Sequence, residues 1–156
     1  MKKFYTNSKV AKFILAKAYH TITIGLVVLS KRDKLDMVVK NHESIHIQQY
    51  LEITLFTFVG LFLLASFGLL PWWCTILSLL SYYVLYALEW LIRCVIIFFI
   101  GVSKFTGNKF DPIAGAAYDN LCFEKEANAN EENETYIIDR PWFNWVRYIK
   151  LGRIDK

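Results

Sequence analysis

Cysteine and histidine are scarce in this chain of 156 residues, which holds three of each. The cysteines are odd in number, and two of them, Cys74 and Cys94, lie in strongly apolar sequence. With Cys122 as the third, no disulfide framework is predicted. We expect Cys122 to be a small buried residue rather than a metal ligand. No motif typical of nucleic-acid-binding proteins is present, so the net charge of +4 does not predict a nucleic-acid partner.

Charge is nearly absent from the middle of the chain. In residues 53–103 only Glu89 and Arg93 are charged. This stretch can form two helices of about 20 to 25 residues each, the length that crosses a bilayer. The sequence therefore predicts a transmembrane hairpin in the lipid bilayer, with spans at about 52–70 and 73–101. A soluble protein with a buried helical hairpin is the alternative.

The turn of this hairpin is predicted at Pro71, which would break a helix and which precedes an aromatic pair typical of the membrane interface, Trp72-Trp73. Of the 18 basic residues, only Arg93 lies inside the hairpin, and the turn has none. Basic segments tend to stay in the cytoplasm. We therefore expect a multi-pass protein of the cell (inner) membrane with both termini cytoplasmic.

The two charged residues of the hairpin, Glu89 and Arg93, have a spacing that places them on one helix face. Charges at membrane depth are costly, so we expect both to face the protein interior and to pair. The alternatives are a role in substrate binding and a role for Glu89 as a metal ligand.

The segment before the hairpin changes from a strand-like to a helix-like pattern. Residues 21–25 alternate polar and apolar side chains, and a second β-rich run covers 26–30, which predicts a sheet of two or three strands. An amphipathic helix at the membrane surface near residues 11–18 is the alternative. Residues 36–59 contain no glycine or proline, so a helix capped by Asp33 or Asp36 is predicted to continue into the first span.

That helix carries two of the histidines, in the sequence His42-Glu43-Ser44-Ile45-His46. Residues four apart share a helix face, so His42 and His46 can bind one Zn²⁺ ion together. Glu43 adjoins the first ligand, where its carboxylate can act as general base toward a water molecule at the metal. Coincidence is the alternative. The site would lie at the cytoplasmic membrane surface.

The chain after the hairpin is predicted to return to the cytoplasmic side. A loop at 107–112 is followed by a polar helix near 119–133, and the aromatic and basic tail at 140–148 is typical of an interfacial helix. We therefore expect a single membrane-embedded domain over residues 1–156, of class α+β but mainly α. The polar helix presents two carboxylates, Glu124 and Glu126, either of which can supply the third protein ligand that a catalytic zinc needs.

His-Glu-x-x-His, followed by apolar spans and then a helical Glu, resembles the membrane-embedded branch of the gluzincin-type zinc metallopeptidases. That branch includes the CAAX-prenyl peptidases, the HtpX-type peptidases and the antibiotic-sensing antirepressors. The resemblance implies that Glu124 is the third zinc ligand and that Asn128 occupies the position of an aspartate that supports a ligand histidine. Glu126 is the alternative ligand. An amide at position 128 brings no negative charge to the imidazole.

The resemblance implies a zinc-dependent metalloendopeptidase whose substrate is a polypeptide, held in extended form against the strand at 21–25. His20, Tyr118 and Tyr136 are candidates for stabilising the oxyanion. A non-catalytic membrane protein with a structural or partner-binding zinc site is the first alternative, and a membrane scaffold without metal is the second.

Overall fold

The computed structural model describes residues 3–15, 20–100 and 112–149. The protein is mainly helical, with a three-stranded sheet near the N-terminus and two helices long and apolar enough to cross a membrane. The predicted mainly α fold with a small N-terminal sheet is confirmed at this level. In chain order, the elements are β1 (Lys3–Tyr5), α1 (Lys9–Ile14), β2 (Thr21–Ile24), β3 (Val27–Ser30), α2 (Met37–Ser66), a 3₁₀ helix (Trp72–Leu80), α3 (Ser81–Ile100), α4 (Pro112–Asp119), α5 (Cys122–Asn130), α6 (Tyr136–Asp139) and a second 3₁₀ helix (Asn144–Tyr148).

The chain divides into two compact units. The first comprises Met1–Leu51 with Ala127–Pro141, and the second comprises Glu52–Glu126 with Trp142–Lys156. The division falls inside two helices, since α2 and α5 each cross it. Each unit therefore contains one part of α2 and one part of α5.

The first unit is built on the sheet, whose strand order is β1-β3-β2. β2 and β3 lie in the two predicted β-rich runs and form an antiparallel hairpin, with Ile24 opposite Val27 across a tight turn. Gly25 opens that turn with a φ of 60°, a conformation for which glycine is favoured in short hairpins. β1 pairs in parallel with β3 and is the third strand of the sheet, whose position the sequence pattern does not predict. β2 consequently lies at an edge of the sheet.

Local sequence signals determine where α2 begins and ends. The Asp36 carboxylate accepts a hydrogen bond at 2.8 Å from a backbone N–H of the first turn, so Asp36 caps the helix. At the other end, Gly68 has a φ of 71°, and the Leu69 N–H bonds to the Leu64 carbonyl at 2.9 Å, as in a Schellman motif. The helix is uninterrupted from Met37 to Ser66, so the histidines and the first apolar segment share one helix.

The second apolar segment begins as a 3₁₀ helix, although the sequence predicts one continuous α-helix there. Hydroxyl side chains account for the tighter winding. Thr75 Oγ1 donates to the Trp72 carbonyl at 2.9 Å, and Ser78 Oγ donates to the Thr75 carbonyl at 2.7 Å. These bonds join residues three apart and therefore favour the 3₁₀ spacing.

The second unit has its core where α3 packs against α4. Ile97 is buried together with Ala116 and Ala117, whose small side chains allow the two helices to approach closely. Trp90 Nε1 donates to the Ala114 carbonyl at 3.2 Å, so its polar atom is satisfied within the packed helices. This packing fixes the chain on either side of residues 101–111.

The C-terminal region differs from its prediction in two respects. The polar helix is shorter than 119–133, because α4 ends at Asp119 and α5 covers only Cys122–Asn130. The tail forms a short 3₁₀ helix rather than a helix over 140–148, because Arg140 is extended and Phe143 has a φ of 56°. The predicted loop at 107–112 lies outside the described residues except for Pro112, which begins α4.

Candidate metal centre

His42 and His46 lie one turn apart on α2, and their rings meet. The two Nε2 atoms are 3.1 Å apart, and the rings are T-shaped with centroids separated by 4.8 Å. His46 is buried, and the side chain of His42 is 17% exposed. The predicted sharing of one helix face by the two histidines is confirmed.

The other ring nitrogen of each histidine has a hydrogen-bond acceptor. His42 Nδ1 lies 2.8 Å from Glu131 Oε2, and His46 Nδ1 lies 2.9 Å from Gln49 Oε1. A carboxylate only accepts hydrogen bonds, and the amide oxygen of Gln49 does the same, so both Nδ1 atoms carry the proton. In the neutral imidazoles, both Nε2 atoms are then unprotonated.

The two Nε2 atoms lie 3.1 Å apart, close enough for both lone pairs to reach one bound cation. No hydrogen atom lies between them in this protonation state, so their mutual repulsion is unfavourable without a cation. Two nitrogen ligands of tetrahedral zinc, each about 2.05 Å from the ion, lie about 3.3 Å apart. The observed separation therefore suits a pair of histidines that binds one metal ion.

Glu43 is buried beside this pair and contacts the sheet. Its Oε2 accepts a hydrogen bond of 2.5 Å from Thr23 Oγ1, on strand β2. The carboxylate is thus held on the same helix as the histidines and against the edge strand. This position suits a base that acts on a molecule between the strand and the histidines.

In the second unit, Glu124 is a buried carboxylate in the first turn of α5. Tyr86 of α3 donates to its Oε1 at 2.6 Å. The Tyr86 ring stacks on Phe123 at a centroid distance of 5.8 Å, and Trp145 packs against Phe123 at 4.9 Å. An acidic residue in the first turn also interacts favourably with the helix dipole. One oxygen of Glu124 is therefore held by the Tyr86 phenol.

The predicted pairing of Glu89 with Arg93 is confirmed, and Glu89 has a second role. Arg93 Nε donates to Glu89 Oε1 at 2.8 Å. The same oxygen accepts the backbone N–H of Cys122 at 3.0 Å, so Glu89 satisfies an amide at the start of α5. The Cys122 thiol donates to Glu89 Oε2 at 2.9 Å. Burial, and then this hydrogen bond, raise the pKa of the thiol, so Cys122 is a neutral buried donor.

One ligand atom from each of His42, His46 and Glu124 lies within 4.8 Å of the other two. These three side chains could hold a metal ion, and they are the three that the sequence analysis selected. Two histidines and one carboxylate are a set of ligands found in catalytic zinc sites, which leave a position open for water.

Three other predicted site residues, Asn128, Glu126 and His20, have the following positions. Asn128 is exposed, and it is Glu131 that accepts the hydrogen bond from His42 Nδ1. Glu126 is fully buried and accepts a hydrogen bond from Asn144 Nδ2 at 3.2 Å, within the second unit. His20 is exposed.

Four residues with contacts to the candidate site were missed by the sequence analysis: Thr23, Gln49, Tyr86 and Glu131. Gln49 had a detectable signal, because it lies three residues after His46 on the same helix. The other three contact the site only through tertiary structure. Glu131 in particular belongs to an acidic run, Glu131-Glu132, whose members are alike in sequence.

Comparisons with protein-family models, with curated proteins and with solved structures found no match to this chain.

Proposed function

We propose that this chain is an integral-membrane zinc metallopeptidase of the gluzincin type, which hydrolyses peptide bonds near the cytoplasmic membrane surface. The observation that carries the proposal is the pair of imidazoles on α2. Their Nδ1 atoms are held at 2.8 and 2.9 Å, and their Nε2 atoms are left 3.1 Å apart. Glu124 would be the third ligand, and its place in the cluster with both histidines supports this assignment.

The surface of the two apolar helices supports a location in the membrane. Only 28% and 17% of their most apolar windows are buried. Large side chains such as Phe56 and Phe99 are 72% and 80% exposed. A soluble protein rarely exposes apolar surface of this extent, whereas lipid would cover it. The absence of basic residues other than Arg93 from 53–103 supports cytoplasmic termini.

Within the site, Glu43 would be the general base. Zinc bound by the two histidines and Glu124 would polarise the scissile carbonyl and acidify a water molecule. Glu43 would take a proton from the attacking water and deliver it to the departing amine, so that the C–N bond breaks and an acid and an amine are released. Thr23 holds the second carboxylate oxygen of Glu43 and would keep the base in one orientation.

The edge strand β2 would bind the polypeptide substrate. Ile22 pairs with Leu29 and Ile24 with Val27, and the hairpin turn makes these the hydrogen-bonded pairs of the ladder. The backbone N–H and C=O groups of Thr23 therefore point away from β3, toward the open edge. An extended peptide can bind to such an edge by main-chain hydrogen bonds. Its backbone would then lie beside the residue that holds Glu43.

The proposal is tested by Glu43→Gln in the full chain, purified in detergent. The variant should bind as much zinc as wild type, because Glu43 is not a ligand, and should lose peptide cleavage by a factor of about a hundred or more. Zinc is measured by elemental analysis, and cleavage is measured by mass spectrometry on a library of peptides from a digested proteome.

Glu132→Gln, at an exposed carboxylate, is the matched control and should cleave as wild type does. Glu43→Gln that cleaves at the wild-type rate would overturn the mechanism. Wild type that binds zinc and cleaves no peptide would favour a structural or partner-binding metal site. If neither wild type nor His46→Ala contains zinc, the result would favour a membrane scaffold without metal.

A further inference from the structure

We infer that Glu131 is the positioning carboxylate of the metal centre: it fixes the His42 ring and raises its affinity for the metal. The inference rests on the proposed function, because it assigns His42 as a ligand. Glu131 is not a ligand in this assignment and does not touch the substrate. It acts through the imidazole that it holds.

The geometry places a charged acceptor on the ring nitrogen opposite the metal. Glu131 Oε2 lies 2.8 Å from His42 Nδ1, which is a normal length for a charge-assisted hydrogen bond. The Glu131 backbone is held as well, because Asn41 Nδ2 donates to its carbonyl at 3.1 Å. Two neighbouring residues of α2 therefore bind side chain and backbone of Glu131, so the carboxylate is preorganised.

The two ligand histidines have unequal partners. Glu131 brings a negative charge to His42, whereas Gln49 brings a neutral amide to His46. Asn128, the position that the resemblance favours, is exposed. An anionic acceptor stabilises positive charge that develops on an imidazole as it donates electrons to a metal, and it fixes the tautomer with a free Nε2. His42 should therefore be the stronger of the two nitrogen donors.

The partial exposure of the pair favours the same role. The side chains of His42 and Glu131 are 17% and 30% exposed. A side-chain hydrogen bond that water reaches contributes only modestly to folding stability. The contact therefore has more effect on the ligand than on the fold, and the two effects can be measured separately.

The test compares Glu131→Gln and Glu131→Ala with wild type, as full chains in detergent. Zn²⁺ affinity is measured by competition with a chelating dye, and Co²⁺ absorption reports the ligand set. Glu131→Gln keeps an acceptor but loses the charge, and affinity should fall by about ten- to a hundredfold with the Co²⁺ spectrum unchanged. Glu131→Ala loses both and should bind at least as weakly. Glu132→Gln and Asn128→Ala are the controls and should bind as wild type does.

Thermal unfolding of the metal-free proteins separates positioning from structural support. The inference expects metal-free Glu131→Gln to unfold at the wild-type temperature. A lowered unfolding temperature that accounts for the loss of Zn²⁺ affinity would overturn the inference. If wild type binds zinc and Glu131→Gln binds it equally tightly, the inference is also overturned. Wild type that binds no zinc would overturn the proposed function and this inference together.

Discussion

Gln49 is a buried side chain that binds one of the two histidines proposed as metal ligands. It is fully buried, and its Oε1 accepts the His46 Nδ1 proton at 2.9 Å. We predict that Gln49→Leu lowers Zn²⁺ affinity by about tenfold or more, because the His46 ring loses the acceptor that fixes its tautomer. Competition with a chelating dye measures the change. Gln49→Glu restores an acceptor and should recover the affinity.

Gln48 supplies the matched control, since it is the same residue type one position earlier on α2 and is only half-buried. Gln48→Leu should leave Zn²⁺ affinity unchanged. Equal losses in Gln48→Leu and Gln49→Leu would mean that the affinity responds to helix stability and not to the His46 hydrogen bond.

At the residue scale, the sequence predicts the proposed metal ligands better than it predicts the residues that hydrogen-bond to them. His42, Glu43 and His46 are close in sequence, so helical spacing alone brings them together. Glu131 approaches His42 from 89 positions away in sequence, and nothing local distinguishes it from Glu132. The resemblance favours position 128, whereas His42 Nδ1 bonds to Glu131. Partner residues of this kind depend on where the chain returns, which short-range patterns do not encode.

At the element scale, Glu89 connects α3 to the start of α5. It accepts hydrogen bonds from Arg93 and from the Cys122 N–H, and Arg93 is 5% exposed. We predict that Glu89→Gln destabilises the protein by about 3 kcal/mol, because it leaves the Arg93 charge buried without a counter-ion. Thermal unfolding in detergent measures the loss.

The double variant Glu89→Gln with Arg93→Met tests the cause of that loss. It removes the stranded charge and should recover part of the stability, so the two effects should be non-additive. A double variant that is less stable than Glu89→Gln alone would show instead that Arg93 stabilises the protein through other contacts.

The sequence predicts the ends of a helix or strand where those ends are determined by residues close by in the sequence. Asp36 and Gly68 mark the two ends of α2 through local hydrogen bonds, and both are recognisable in the sequence. β1 was missed because a three-residue strand has no usable period and depends on β3 for its pairing. The 3₁₀ start of the second apolar segment depends on hydroxyl bonds that hydropathy does not register.

At the scale of the whole molecule, the apolar surface and the reactive groups are separated along the chain. Exposed aromatic and aliphatic side chains concentrate in 55–99, while His42, Glu43 and Glu131 lie outside that stretch. In the proposed location, lipid would cover the apolar helices and water would reach the charged residues. The proposed location at a membrane surface meets both needs.

Membrane topology can be tested with one cysteine on each side of the predicted bilayer. Leu69 is 67% exposed in the turn between the apolar helices, and Glu132 is exposed in the segment proposed to be cytoplasmic. In intact spheroplasts, a membrane-impermeant maleimide should label Leu69→Cys and leave Glu132→Cys unlabelled until detergent is added, because basic flanks hold both termini inside. Wild type gives the background from the three native cysteines. Labelling of Glu132→Cys before detergent, with Leu69→Cys protected, would reverse the proposed orientation and place the metal centre outside the cytoplasm.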